Sequence, residues 1–165
     1  MRREDYLVRY RVFGAFAMHS FFDYLSADHR RCDELFAEAE AAVRRRDWAA
    51  AADKFQVFHA AMLRHLHMEE SVLFPAFEAR TGQVGGPTRV MCNEHTQMRD
   101  LLASMADSLA AADEADYAGL AETLLWLMQQ HNVKEEQILY PMSDHMLADA
   151  RSGLIERMAA VVPAP

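Results

Sequence analysis

One signature occurs twice in this chain. HLHMEESVLFP, from His65 to Pro75, and HNVKEEQILYP, from His131 to Pro141, share the histidine, both glutamates, the leucine and the proline, with Val/Ile and Phe/Tyr as conservative pairs. The copies lie 66 positions apart, and the same offset carries His29, in ADHRRCDELF, to His95, in NEHTQMRDLL. His29 precedes His65 by 36 residues, as His95 precedes His131. The repeating unit is therefore a helix pair, with one histidine on its first helix and His-x3-Glu on its second. Two such units predict an all-α protein, an antiparallel up-and-down four-helix bundle with pseudo-twofold symmetry.

Punctuation divides the chain accordingly. Asp47 is placed to cap a helix after the RRR run, TGQVGGP (Thr81 to Pro87) is the strongest break, and AADEAD (Ala111 to Asp116) is a weaker one. Helices are expected over roughly 26–46, 48–80, 87–112 and 115–147, making a bundle over 26–147. Residues 1–25 form an N-terminal extension whose aromatics (Phe13, Phe16, Phe21, Phe22, Tyr24) need burial, against one end of the bundle or in a dimer contact. The remainder, 148–165, is a tail with a short amphipathic helix near 149–161. Sparse glycine and proline, 6 and 5 residues, suit helices and oppose an all-β fold.

The formal charge of −8 argues against nucleic acid or an anionic membrane surface as partner. Cys32 and Cys92 are too few for a disulfide framework and lack metal-ligand spacing. With no apolar run long enough to span a bilayer, a soluble cytoplasmic protein is expected, monomer or homodimer.

On a helix, positions four apart share a face, so His65 points with Glu69 and His131 with Glu135. Glu70 and Glu136 point about 140° away from those histidines, which makes them solvent-facing or supporting groups. The stripes around the signatures are apolar: Phe58, Met62, His65, Glu69, Val72 on the second helix and Leu124, Met128, His131, Glu135, Ile138 on the fourth. His29 lies in line with Cys32, Phe36 and Val43, and His95 with Met91, Met98, Leu102 and Met105. Four imidazoles and two carboxylates are thus aimed into an apolar core, where desolvation without partners is costly. A carboxylate-bridged pair of metal ions resolves the conflict. Without metal, Glu69 and Glu135 are expected to have raised pKa values. Pro75 and Pro141 are expected to kink or end their helices just past the glutamates.

A lone core histidine is more often hydrogen-bonded than a ligand, and a single His-x3-Glu pair is weak evidence. Duplication at one offset changes that balance. His59 and His67 have no histidine counterparts, and His19 and His145 fall outside the signature, so all four are read as non-ligands. The eleven methionines are read as core filling. Asp33 is either an acceptor behind a ligand or a partner for Arg99.

The HxxxEExxLFP-type segments, with the two upstream histidines, resemble the hemerythrin-like (HHE cation-binding) family over about residues 26–147. The resemblance implies a non-haem di-iron centre with His29, His65, Glu69, His95, His131 and Glu135 as ligands. One iron would take His29 and His65, the other His95 and His131, with Glu69 and Glu135 and an oxo or hydroxo group bridging; manganese or zinc are alternative metals. Oxygen-carrying hemerythrins have a further histidine where this chain has Arg99, so two histidines per metal imply a symmetric site with room on both ions. The four-histidine, two-glutamate set looks more like iron-sulfur cluster repair proteins and some iron- and oxygen-sensing hemerythrin domains. The implied function is binding, sensing or reaction with O2, NO or peroxide. An enzyme of oxidative or nitrosative stress defence or of cluster repair, and an iron-storage or metal-stabilised interaction module, share the same ligands and stay open.

Overall fold

Helix starts in the computed structural model, which describes residues 20–162, follow local capping chemistry. Helix α1 (Phe21–Arg44) is capped by Ser20, whose hydroxyl accepts the Asp23 N–H at 2.9 Å. Helix α2 (Trp48–Met68) is capped by Asp47, which accepts from Ala50 N–H at 3.2 Å, and runs through a π-helical turn (Glu69–Leu73) into α3 (Phe74–Thr81). Gly82, at φ 71°, ends α3 in the left-handed conformation that glycine tolerates without strain. Helix α4 (Pro87–Ala110) opens on proline, where a missing N–H costs nothing. Helix α5 (Glu114–Lys134) is capped by Asp113 and continues through a second π turn (Glu135–Leu139) into α6 (Tyr140–Met146). A short α7 (Arg151–Ala159) closes the series, and no strand occurs among the described residues.

The 66-residue offset extends well beyond the signature. It maps α1 onto α4, α2 onto α5 and one π turn onto the other. Even the links obey it: Arg46 (φ 56°) and Ala112 (φ 53°) are both left-handed, each followed by a capping aspartate. Helix α1 packs along α2 and α4 along α5, with further contacts of α1 to α5 and α2 to α4. This pattern is consistent with a four-helix bundle.

Three details differ from the sequence expectation. Helix α1 begins at Phe21 rather than near 26, because Ser20 supplies the cap and Phe21 and Leu25 are buried in the core. Phe13, Phe16 and His19 lie outside the described residues. The chain also does not end just past Glu69 and Glu135. Instead Phe74 N–H donates to Glu69 O and Tyr140 N–H to Glu135 O, five residues back. A proline ring collides with the carbonyl four residues before it, and widening the turn by one residue relieves that clash. The extra residue also slips the helix phase. Ile138, expected on the buried stripe, is 54% exposed, while Leu139 takes the interior at 2%. In the first copy Val72 stays buried because α7 lies over that turn with Leu154 and Met158. Arg64 holds α7 there, its guanidinium donating to the carbonyls of Val161 at 2.9 Å and Met158 at 3.3 Å.

Two apolar clusters fill the bundle. One contains Phe36, Phe58, Leu66, Met98, Leu102 and Met128, the other Phe21, Met68, Leu73, Phe77, Met91 and Leu139. Along each rod the signature histidines and glutamates fall between residues of the two clusters, as His95 does between Met91 and Met98. The methionines at 62, 68, 91, 98, 105, 128 and 158 are all buried, in keeping with core filling.

Left-handed backbone at Ala112 costs a non-glycine residue about 1 kcal/mol. Ala112→Gly is therefore expected to raise unfolding free energy by about 0.5–1 kcal/mol. Urea denaturation of the two proteins side by side checks this, and a lower midpoint for the glycine variant would contradict it.

Candidate metal centre

All six residues singled out by the repeat meet in the buried interior, and both carboxylates are fully buried. His29 Nε2 faces His65 Nε2 at 3.0 Å, and His95 Nε2 faces His131 Nε2 at 3.1 Å. Each glutamate reaches one ring of each pair. Glu69 Oε2 lies 3.5 Å from His65 and 3.4 Å from His95, while Glu135 places Oε2 3.3 Å from His29 and Oε1 3.1 Å from His131. One donor atom from each of Glu69, His95, His131 and Glu135 falls within 4.8 Å of all the others, and His29, His65 and Glu135 form a second such group.

What turns four imidazoles inward is a set of four outer carboxylates. His29 Nδ1 pairs with Glu136 at 2.8 Å, His65 with Asp28 at 3.1 Å, His95 with Glu70 at 2.8 Å and His131 with Glu94 at 2.8 Å. A carboxylate only accepts, so each Nδ1 carries the hydrogen and each Nε2 of a neutral ring presents a lone pair to the centre. Lone pairs then face one another at about 3 Å, an arrangement that requires a proton or a cation between them. Glu69 Oε2 and Glu135 Oε1 are also buried without a hydrogen-bond donor. Inward nitrogens, orphaned carboxylate oxygens and carboxylate-backed histidines together fit a bound metal.

The model of the hemerythrin HHE cation binding domain matches residues 20–143. The chain belongs to this family. Among curated proteins, the iron-sulfur cluster repair protein YtfE of Dickeya chrysanthemi (strain Ech1591) is 29% identical over 96 residues, covering 52% of this chain and 43% of that relative. The chain thus matches less than half of that relative's length. No solved structure gives a significant match.

Within this HHE domain the outer acids follow the repeat as well. Asp28 and Glu94 hold the His-x3-Glu histidine of their own half, whereas Glu70 and Glu136 reach across to His95 and His29 of the other. Of the two roles open to Glu70 and Glu136, the supporting one is realised. Among the described residues, cations complete three of the four pairs: Arg99 grips both oxygens of Glu70 at 2.9 and 2.8 Å, Lys134 pairs with Glu94, and Arg31 with Asp28 at 2.9 Å. Arg99 therefore serves Glu70 rather than Asp33. Asp33, its counterpart, is an exposed acid near Glu136, and its own pKa is raised by partial burial and that neighbouring negative charge.

Tyr140 was not anticipated as a site residue. Its buried hydroxyl lies 2.6 Å from Glu69 Oε1, 2.8 Å from Glu135 Oε2 and 3.1 Å from His29 Nε2, with one proton to give to either carboxylate. The corresponding Phe74 carries no hydroxyl and stacks on His95 with ring centroids 5.7 Å apart. Hence the surroundings of the two halves are not chemically equivalent, although each half keeps two inward histidines. His59 stacks on Phe55 at 5.9 Å, and His67 and His145 are exposed, so none of the three joins the centre. A cavity of about 10 Å³ touches His29, His65 and His131 and is otherwise walled by Cys32, Met62, Leu66, Met98, Met128 and Asn132.

Burial opposes charge on His29 and His95, but the surrounding glutamates outweigh it and raise both to about 9. Burial alone would likewise lift Glu135. Instead His131 and His29 hold it well below the ordinary carboxylate value, the reverse of the sequence expectation. Burial pushes Tyr140 well up, reinforced by Glu135 and Glu69, so it rests as a phenol.

The raised histidines stabilise the metal-free fold fully below their unfolded value near 6.5, and this contribution is lost as pH rises through about 9. Chelated protein should therefore melt at progressively lower temperature across that window, while affinity for a divalent cation rises because the ion displaces those protons. Melting curves of chelated protein at stepped pH test this, and a flat profile would contradict it. Removing an outer acid, as in Glu70→Gln, should weaken metal affinity about 10- to 100-fold. Glu69→Gln should cost more, since it removes a donor from the centre itself. Titration with a competing chelator ranks the two.

Proposed function

We propose that this HHE domain holds two iron ions, one at His29 and His65 and one at His95 and His131, with Glu69 and Glu135 shared between them. The observation that carries the reading is the reach of each glutamate to one histidine of each pair, with carboxylate oxygens left orphaned in the core. Manganese or zinc would find the same donors. The four rods are read as antiparallel over residues 26–147, supported by the short links at 45–47 and 111–113.

When bound, an iron pair supplies open coordination positions and redox capacity for a small ligand such as O2, NO or peroxide. The chain's own residues set the terms of access. The outer carboxylates fix Nδ1–H on every ring and hold Nε2 on target without rearrangement. Met62, Met98, Met128 and Leu66 wall the adjacent cavity with apolar surface, which favours small neutral molecules over ions. Its volume of about 10 Å³ suits an occupant of water size. Two free thiols support a reducing, cytoplasmic setting. No helix among the described residues is long and apolar enough to cross a membrane.

Likeness to the Dickeya protein favours a second reading, in which the bound iron serves iron-sulfur cluster repair. Metal analysis and optical spectra of anaerobically purified protein test both. Two iron ions per chain and a spectrum altered by O2 or NO are expected for the first. Iron that resists both ligands yet transfers to a cluster-deficient acceptor protein would favour the second. A protein purified with no transition metal, and unable to take up iron, would contradict both.

A further inference from the structure

Resting on the metal-pair reading above, we propose that Tyr140 is a seventh protein donor, its phenol oxygen joining His29 and His65 on one ion. The hydroxyl touches three groups, Glu69 Oε1, Glu135 Oε2 and His29 Nε2, and each is itself a donor of the centre. His29 Nδ1 is engaged by Glu136, so the Nε2 lone pair is directed to the space beside the phenol oxygen. Two donors about 2.1 Å from one metal and at right angles to each other lie about 3 Å apart. Tyr140 Oη to His29 Nε2 is 3.1 Å and His29 Nε2 to His65 Nε2 is 3.0 Å, both spacings of donors around a common ion. The described hydrogen bonds of Tyr140 include His29 but neither His95 nor His131, which assigns the phenol to the His29 ion.

Position 74 supplies the internal contrast. The offset that relates all six ligands carries Tyr140 to Phe74, and the Phe74 ring lies nearly parallel to His95, at 22°, with no atom able to coordinate. The His29 ion thus gains an anionic oxygen while the His95 ion has one protein donor fewer. On coordination the phenol O–H bond breaks, the oxygen binds the metal and the proton passes to buffer. A hard, anionic oxygen favours the ferric state, so the two irons should differ in redox behaviour.

The test is resonance Raman and visible absorption of the full chain loaded with ferric iron, with iron counted in each sample. Wild type is expected to show a phenolate-to-iron charge-transfer band whose vibrations shift when the protein carries ring-deuterated tyrosine. Tyr140→Phe should lose both the band and the vibrations while keeping two irons. The pocket around Phe74 shows that the fold accommodates phenylalanine at the equivalent place. Phe74→Tyr should add a second set of tyrosinate vibrations, and it decides the matter if Tyr140→Phe fails to fold. Two irons without tyrosinate vibrations in wild type would overturn the proposal and leave Tyr140 as a hydrogen-bond donor to the glutamates. So would vibrations that persist in Tyr140→Phe. A wild-type chain that takes up no iron would overturn the metal-pair reading and this proposal with it, and the iron count separates that failure from the others.

Discussion

Imidazole nitrogens facing imidazole nitrogens, at 3.0 and 3.1 Å in the middle of an apolar bundle, are the arrangement on which the surrounding structure depends. Neutral rings would repel there, and fully charged rings would carry a large desolvation cost. Two buried glutamates supply the opposing charge, and four outer carboxylates fix the ring orientation. The apolar clusters on either side exclude water and keep the side chains in register. A cation makes every one of these features consistent; protons do so only below the pH at which the histidines release them.

The offset of 66 residues is a structural rule with three informative breaks. Arg99 clamps Glu70, whereas its counterpart Asp33 sets a like charge near Glu136, so the acids behind His95 and His29 stand in opposite electrostatic surroundings. Helix α7 covers the first π turn and leaves Ile138, on the second, exposed among the described residues. Tyr140 faces Phe74 across the pseudo-symmetry, with a hydroxyl on one side and a bare ring on the other. All three place the two halves of the centre in different surroundings while preserving its geometry.

Much of this was legible from residue spacing, because helical geometry converts an i, i+4 interval directly into a shared face. Asp47 as a cap, the TGQVGGP break and the inward stripes through His65 and His95 follow from local chemistry, and the structure has them. Glu70 and Glu136 were harder to place. Their own helix turns them away from the neighbouring histidine, yet each serves a ring on a different helix, which single-helix geometry does not reveal. Asp28 and Glu94 obey the offset, but as an Asp/Glu pair ahead of the histidines they blend into an acidic surface. Treating Phe74 and Tyr140 as a conservative pair hid the one hydroxyl that distinguishes them. Pro75 and Pro141 marked where each helix is disturbed, but a proline does not say whether the chain will stop, bend or widen by one residue, and Ile138 was therefore assigned to the wrong face.

The long sequence separations within the site bear on how the protein is made. His29 meets Glu136 across 107 residues and Tyr140 across 111. A ribosome that has delivered only α1 to α3 has produced Asp28, His29, His65 and Glu69, with His29 lacking its outer acid and Glu69 lacking its facing carboxylate. Such a nascent hairpin can offer a passing ion only a sparse, water-exposed set of donors. Tight capture would wait until α6 had emerged and docked, so the chain would take its metal as a nearly finished product. Were the metal iron, as proposed, this order would keep its radical chemistry off the half-made polypeptide, where the Cys32 thiol and the core methionines are still exposed.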